Sequence, residues 1–184
     1  MACYTCTGDN GTTSIIGKCG IEKDDSMIEA LGSFDELNAA VGVVATFSAS
    51  PDTIKLLKMV QDDMHTVCAE IAAAAGNMPR VTESHIERIE KTIDDAEKYL
   101  EPQKSFILPG GSKEAALLQL ARTIARRAER QLVKLSKTEE VNPCLLKYSN
   151  RLSSLFHVMA RVENKRQNEA EEKPVYTYYN SESS

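Results

Sequence analysis

Hydrophobic positions along most of this chain recur every three or four residues, the period of an α-helix with one buried face. After Ser50-Pro51, a cap followed by a proline suited to the first helical turn, Ile54, Leu57, Val60, Met64, Val67 and Ile71 form such a stripe towards Gly76. Ser112, past the Pro109-Gly110-Gly111 break, opens another through Leu117, Leu120, Ile124, Ala128 and Leu132. Asn142-Pro143 opens one carrying Leu145, Leu152, Leu155, Phe156, Met159 and Val162. Ser33-Phe34-Asp35-Glu36 has the form of a capping box, with Ser33 as N-cap and Glu36 reaching back, ahead of Leu37, Val41 and Val44. Thr82 opens a more polar helix to about Leu100. The pattern predicts five helices, with no alternation that would mark a strand and no internal repeat.

Long amphipathic helices on short connections pack antiparallel most simply. The expected fold is all-α: an up-and-down helical bundle of five helices with a four-helix core, ferritin-like in appearance. The 184 residues are read as a single domain, with a loop over 1–25, the bundle over 33–168, and a tail over 169–184. That tail is acidic and then Tyr/Ser-rich, and is expected to be loosely ordered in isolation.

A net charge of −5 argues against general nucleic-acid binding. No apolar run approaches the roughly 18 residues that cross a bilayer, so no membrane partner is expected. The chain opens directly on a Gly/Thr segment rather than a basic and then apolar leader, which gives a cytoplasmic expectation. Among the five cysteines, Cys3-x-x-Cys6 with Cys19 lacks the second close pair or His spacing of a structural zinc site, so reduced, structural cysteines are expected. A di-iron set needs Glu-x-x-His on two helices plus two more glutamates, and only Asp62-x-x-His65 resembles half of that; His65 reads as an ordinary helix histidine and His85 as a surface one.

Chemistry concentrates in three places. In Tyr4-Thr5-Cys6-Thr7-Gly8-Asp9-Asn10-Gly11-Thr12-Thr13-Ser14, glycines that let backbone approach a ligand stand among short hydroxyl donors. A phosphate suits it; a frayed terminus with a turn is the alternative. The spacing from Gly11 to Gly17-Lys18 and then Cys19 is not that of a Walker loop. On the fourth helix Arg122, Arg126, Glu129 and Val133 share a stripe, which either binds an oligophosphate through guanidinium forks or is a solvated basic face. On the fifth, Asn150, Ser154, His157 and Arg161 share a face that is either a polar seam or a ligand wall.

Taken in order, Thr7-Gly8-Asp9-Asn10-Gly11-Thr12-Thr13, Lys23-Asp24-Asp25 and Gly32-Ser33-Phe34-Asp35-Glu36-Leu37-Asn38 resemble the N-terminal half of the PduO-type ATP:cob(I)alamin adenosyltransferases. Phe106-Ile107-Leu108-Pro109-Gly110-Gly111-Ser112, Arg122-Thr123, Arg126-Arg127-Ala128-Glu129-Arg130, and Tyr148 with Asn150-Arg151-Leu152-Ser153 resemble the C-terminal half. The likeness extends to about Asn164. It implies a homotrimer with ATP and a corrinoid bound where subunits meet, and transfer of the 5′-deoxyadenosyl group of ATP to cobalt(I) with release of triphosphate. Cobalt(I) is itself the nucleophile, so the protein's tasks are orientation, leaving-group stabilisation with Mg²⁺ and arginines, and exclusion of water.

Carried over by position, the resemblance places ATP against Thr5, Cys6, Thr7, Gly8, Asp9, Gly11, Thr13, Ser14 and Lys23, and against Arg126, Arg127, Glu129, Arg130 and Asn150. Asp35 and Arg122 match a pair that bridges subunits in the family. Phe106 matches the aromatic under the corrin that excludes a lower axial ligand and so makes cobalt easier to reduce. A corrinoid reductase and adenosylcobalamin-dependent enzymes are the implied partners; the Mg²⁺ ligands are not assigned. Cys6 and Asn10 depart from commonly basic positions, Ser154 from a common Asp, and His157 from an aliphatic or aromatic residue.

Overall fold

The structure, a computed structural model, describes residues 4–72 and 78–176. Helices α1 (Ser26–Phe47), α2 (Pro51–Ala72), α3 (Glu83–Tyr99), α4 (Lys113–Leu135) and α5 (Pro143–Arg166) follow a hairpin of strands β1 (Thr12–Ile15) and β2 (Lys18–Glu22). The hairpin corrects the expectation of a strand-free chain. Its antiparallel register pairs Thr12 with Glu22 and Ile15 with Lys18, and shifts between Thr13 and Ser14. Gly17 turns it at φ 83°. Of its strand residues only Ile21 is buried, which leaves no alternation for the sequence to display.

α1 begins at Ser26, not at Ser33. Asp25 is the true cap, its carboxylate accepting from Met27 N at 2.8 Å. Ser33 lies buried inside the helix, where its hydroxyl donates to the Glu29 carbonyl at 2.8 Å. The other starts agree with the sequence. Ser50 accepts from Thr53 N at 3.3 Å, Ser112 from Ala115 N at 3.1 Å and Asn142 from Cys144 N at 3.0 Å. At Thr82 the reciprocal partner is His85, whose Nδ1 accepts from Thr82 N at 3.2 Å while Nε2 stands 3.9 Å from Asp63. His85 is therefore half-buried between two helices rather than a surface residue. Gly76 lies outside the described residues.

Side-chain contacts give the helix directions. Asn142 at the start of α5 donates to Glu70 near the end of α2 at 2.8 Å, and Thr53 at the start of α2 donates to Glu163 near the end of α5 at 2.8 Å. α5 is thus antiparallel to α2. α3 runs parallel to α5: Glu83 pairs with Lys147 and Glu90 with Arg151, and Tyr99 O accepts from Lys165, in the same order along both helices. With short connections from α1 to α2 and from α4 to α5, the five helices alternate up and down.

The core is built from α1, α2, α4 and α5, and α3 contributes Ile86 and Ile89 as its buried residues. On α4 the buried stripe is Ala115, Leu118, Ala121, Ala125, Ala128 and Leu132, rotated from the expected one; Leu117 and Ile124 are half-buried and Leu120 faces out. The small alanines let α4 lie close to both α1 and α5. A polar knot interrupts this core. Buried Asp63 accepts both contacts from Arg88, at 2.6 and 2.7 Å, and a third from the buried Tyr148 hydroxyl at 2.9 Å. The part of the tail described is anchored: Glu172 O accepts from Leu108 N at 2.8 Å, and Glu171 pairs with Arg161 at 2.8 Å. Cys6 and Cys19 are exposed free thiols, so they are not structural; Cys68 and Cys144 are half-buried, and Cys3 lies outside the described residues. Among the described residues no helix is long and apolar enough to cross a membrane.

Candidate functional site

The connector between α3 and α4 roofs a cavity of about 760 Å³ whose walls come from the end of α3 and the middles of α4 and α5. One side chain fixes the end of this connector that leads into α4. Asn164, buried near the end of α5, accepts from Ser112 N at 2.9 Å and donates to Gly110 O at 3.1 Å, pinning the Pro109-Gly110-Gly111-Ser112 turn. Gly111 adopts φ 94°, a conformation other residues resist. Phe106 projects from this connector into the cavity mouth, 78% exposed.

Arg122, Arg126 and Arg161 make one wall cationic, while Glu97 and Glu101 stand on the α3 and connector side. Arg122 Nε donates to Gln119 Oε1 at 2.6 Å. Burial, and then the nearby Arg126, lower the Arg122 pKa, but a guanidinium keeps its charge at any working pH. Arg161 Nε donates to Glu171 at 2.8 Å and its terminal nitrogen to Glu101 O at 2.9 Å, closing the cavity floor. His157 Nε2 meets Gln103 Oε1 at 2.9 Å; burial and then Arg122 and Arg161 push its pKa down, so the imidazole is neutral near pH 7.

A second cleft of about 560 Å³ opens between the hairpin, α1 and α4, lined by Thr13, Lys23, Gly32, Ser33, Glu36 and Arg127 among others. Lys23 Nζ donates to Gly8 O at 2.8 Å, and Lys23 N to Gly11 O at 2.9 Å, folding the Gly/Thr segment over the hairpin. Gly8 is closely packed: a Cβ there would sit 3.2 Å from Thr12 O and 3.3 Å from Lys23 Nζ. Thr5 and Thr7 share a hydroxyl bond of 2.8 Å, and Cys6 takes a left-handed φ of 59°. Arg127 pairs with Glu36 across the cleft.

The family model for cobalamin adenosyltransferase matches residues 3–163. The chain is 40% identical over 171 residues to a corrinoid adenosyltransferase from Bacillus subtilis, covering 90% of this chain and 88% of that protein. It belongs to the cobalamin adenosyltransferase family. Corrinoid adenosyltransferase PduO of Salmonella typhimurium is 40% identical over 168 residues, covering 89% of this chain and 50% of that protein. The chain thus spans about half the length of the first curated relatives it matches. A PduO-type ATP:corrinoid adenosyltransferase variant from Lactobacillus reuteri, complexed with cobalamin and ATP, superposes with TM-score 0.90 at 34% identity, covering 94% of this chain and 99% of that one. An arginine-to-lysine variant from the same organism, complexed with ATP, superposes with TM-score 0.87.

Within this adenosyltransferase fold the expected residues fall into three groups. Phe106, Arg122 and Arg126 share the large cavity. Thr13, Lys23 and Arg127 share the hairpin cleft, with Gly8 and Gly11 bonded to Lys23 beside it. Glu129 and Asn150 meet each other, the amide donating at 2.7 Å. Thr5, Cys6, Thr7, Asp9, Ser14, Arg126, Arg130 and Asp35 are exposed. Within the chain, Arg122 Nε bonds Gln119 and leaves Asp35 on the surface of α1. On α5 the polar face divides: Ser154, His157 and Arg161 line the cavity, whereas Asn150 turns to Glu129. Sequence reasoning missed Gln119 and Gln103. Gln119 could have been found as the i−3 neighbour of Arg122; Gln103, on an irregular connector, carries no periodic signal.

Proposed function

We propose that the chain transfers the 5′-deoxyadenosyl group of ATP to cobalt(I) of cobalamin or a related corrinoid, releasing triphosphate. The observation that carries this reading is one cavity that Arg122 and Arg126 share with the exposed Phe106. The corrinoid occupies the side under Phe106, whose ring denies cobalt a lower ligand. The electron pair of cobalt(I) attacks the 5′ carbon as the bond from that carbon to the triphosphate oxygen breaks. Arg126 and its neighbours take up charge on the departing triphosphate, strongly so in a site closed to water. Mg²⁺ bound with the triphosphate would neutralise part of the leaving group's charge.

The working unit is a homotrimer in the cytoplasm. Val43 and Phe47 on α1 and Leu120 on α4 are exposed apolar residues on helices that pack side by side, a surface suited to a second copy. The Gly/Thr segment of one copy would then close over the Arg126 wall of its neighbour, and Asp35 would meet a neighbouring Arg122. Chemically reduced cobalamin with saturating ATP and Mg²⁺ is the test. Adenosylcobalamin and triphosphate should form in equal amounts, and Arg126→Ala should lose about 100-fold or more in rate while still binding corrinoid. A well-folded wild-type protein that forms no adenosylcobalamin refutes the proposal.

A further inference from the structure

Four side chains join the arginine wall of the cavity to the connector that carries Phe106, and their hydrogen bonds all run one way. Arg122 Nε, which can only donate, gives its proton to Gln119 Oε1 at 2.6 Å. That fixes the Gln119 amide, so its Nε2 is the donor facing His157 Nδ1 at 3.5 Å, a long contact. At the other end Gln103 Nε2 donates to the main-chain carbonyl of Ser105 at 2.8 Å, which leaves Gln103 Oε1 to accept from His157 Nε2 at 2.9 Å. Only the neutral imidazole with its proton on Nε2 satisfies both sides. The chain ends on the residue adjoining Phe106.

We infer that His157 is a positioning residue which, through Gln119 and Gln103, ties the Arg122 guanidinium to the main chain beside Phe106 and so fixes the two sides of the cavity relative to each other. This rests on the adenosyltransferase reading for its consequence, but the geometry stands without it. An imidazolium cannot serve: a proton on Nδ1 would face the Gln119 amide nitrogen, and turning that amide would set it against Arg122. The charged groups of the cavity around the ring are Arg122 and Arg126 on α4, Arg161 on α5, Glu97 and Glu101 from α3 and the connector, with Glu171 of the tail beside Arg161. Burial and the two arginines hold the ring neutral.

The first test needs no activity. With ¹⁵N-labelled histidine in the full chain, the His157 signals, assigned by their loss in His157→Gln, should report the neutral Nε2–H tautomer at pH 7. A proton on Nδ1, or an imidazolium, overturns the inference. The second test is kinetic. His157→Phe keeps a ring but deletes both bonds, and Gln103→Ala cuts the same chain from the exposed connector without disturbing the core. Each should lower kcat/KM for the corrinoid by about tenfold, the double variant should be no worse than the weaker single, and His157→Gln should stay within about threefold of wild type. Independent, multiplicative losses, or a His157→Phe enzyme at the wild-type rate, overturn it. A wild type that shows the expected tautomer but no adenosyl transfer refutes the proposed reaction and leaves the hydrogen-bonded chain intact.

Discussion

Gly111→Ala is the substitution whose cost can be worked most fully. A methyl on Gly111 would collide with Asn164 Oδ1 and lie 2.6 Å from its Cγ and Nδ2. The backbone cannot rotate away without leaving the φ of 94° that the turn requires, and holding alanine there costs about 1–2 kcal/mol. Asn164 must therefore swing out and release Ser112 N and Gly110 O. Stranding the Ser112 N–H costs about 1–3 kcal/mol, and losing the second bond about 1 kcal/mol. The sum is about 3–6 kcal/mol, a large share of the 5–15 kcal/mol typical of a domain. Urea unfolding followed by circular dichroism should show it as a lower midpoint with an unchanged slope. Asn164→Ala alone should cost less, because it loses the bonds but not the backbone ease. Combined with Gly111→Ala it removes the collision, so the double variant should be clearly more stable than the summed single losses predict. Strict additivity, or a Gly111→Ala loss under about 1 kcal/mol, would refute the account of this turn.

Asp63→Ala should destabilise by about 1–3 kcal/mol in the same assay, because it leaves the buried Tyr148 hydroxyl without its acceptor, while the exposed Arg88 guanidinium turns to water. Tyr148→Phe, which leaves the ion pair in place, should cost no more than about half of that. Stability should fall as pH drops below 6.5: His157 is neutral in the folded state with a lowered pKa, so the unfolded chain binds the extra proton first. The loss is confined between 6.5 and the folded-state value, and His157→Gln should flatten that part of the profile. Burial, and then Asp35, push the Cys68 thiol up to about 11, so a thiol reagent at pH 8 should modify Cys6 and Cys19 well before Cys68. Labelling of Cys68 at the rate of the exposed pair would contradict its packing.

The helices were legible because each hydrophobic stripe spans many turns, and four of the caps stand where Ser50, Thr82, Ser112 and Asn142 announced them. Ser33 misled for a physical reason. A serine followed by glutamate at the right spacing fits a cap, but it fits equally inside a helix where the hydroxyl bonds the carbonyl one turn back, as it does to Glu29. The hairpin was missed because it buries one side chain and is held by main-chain pairing, which leaves no mark on composition. The Gly/Thr segment was legible as an irregular stretch of short donors and glycines, yet its fastening to Lys23 depends on a fold that the residues do not encode locally. Asp63, Arg88 and Tyr148 come from three helices, and no spacing rule connects them. The same holds for the arrangement that brings Phe106 to the cavity of Arg122 and Arg126, since the connector is held by His157, Arg161 and Asn164, all far along the chain.

The placement of α3 has a consequence for how such a cavity can change over evolutionary time. This helix supplies Ile93, Glu97 and the adjoining Leu100 to the cavity wall, yet it buries only Ile86 and Ile89 and is clipped to α5 by exposed pairs such as Glu90 with Arg151. A helix with so few buried side chains is expected to open locally before the four core helices do. Residues on its cavity side can therefore be exchanged, and the outline of the accepted substrate redrawn, without drawing down the reserve of stability that keeps the arginine wall in place.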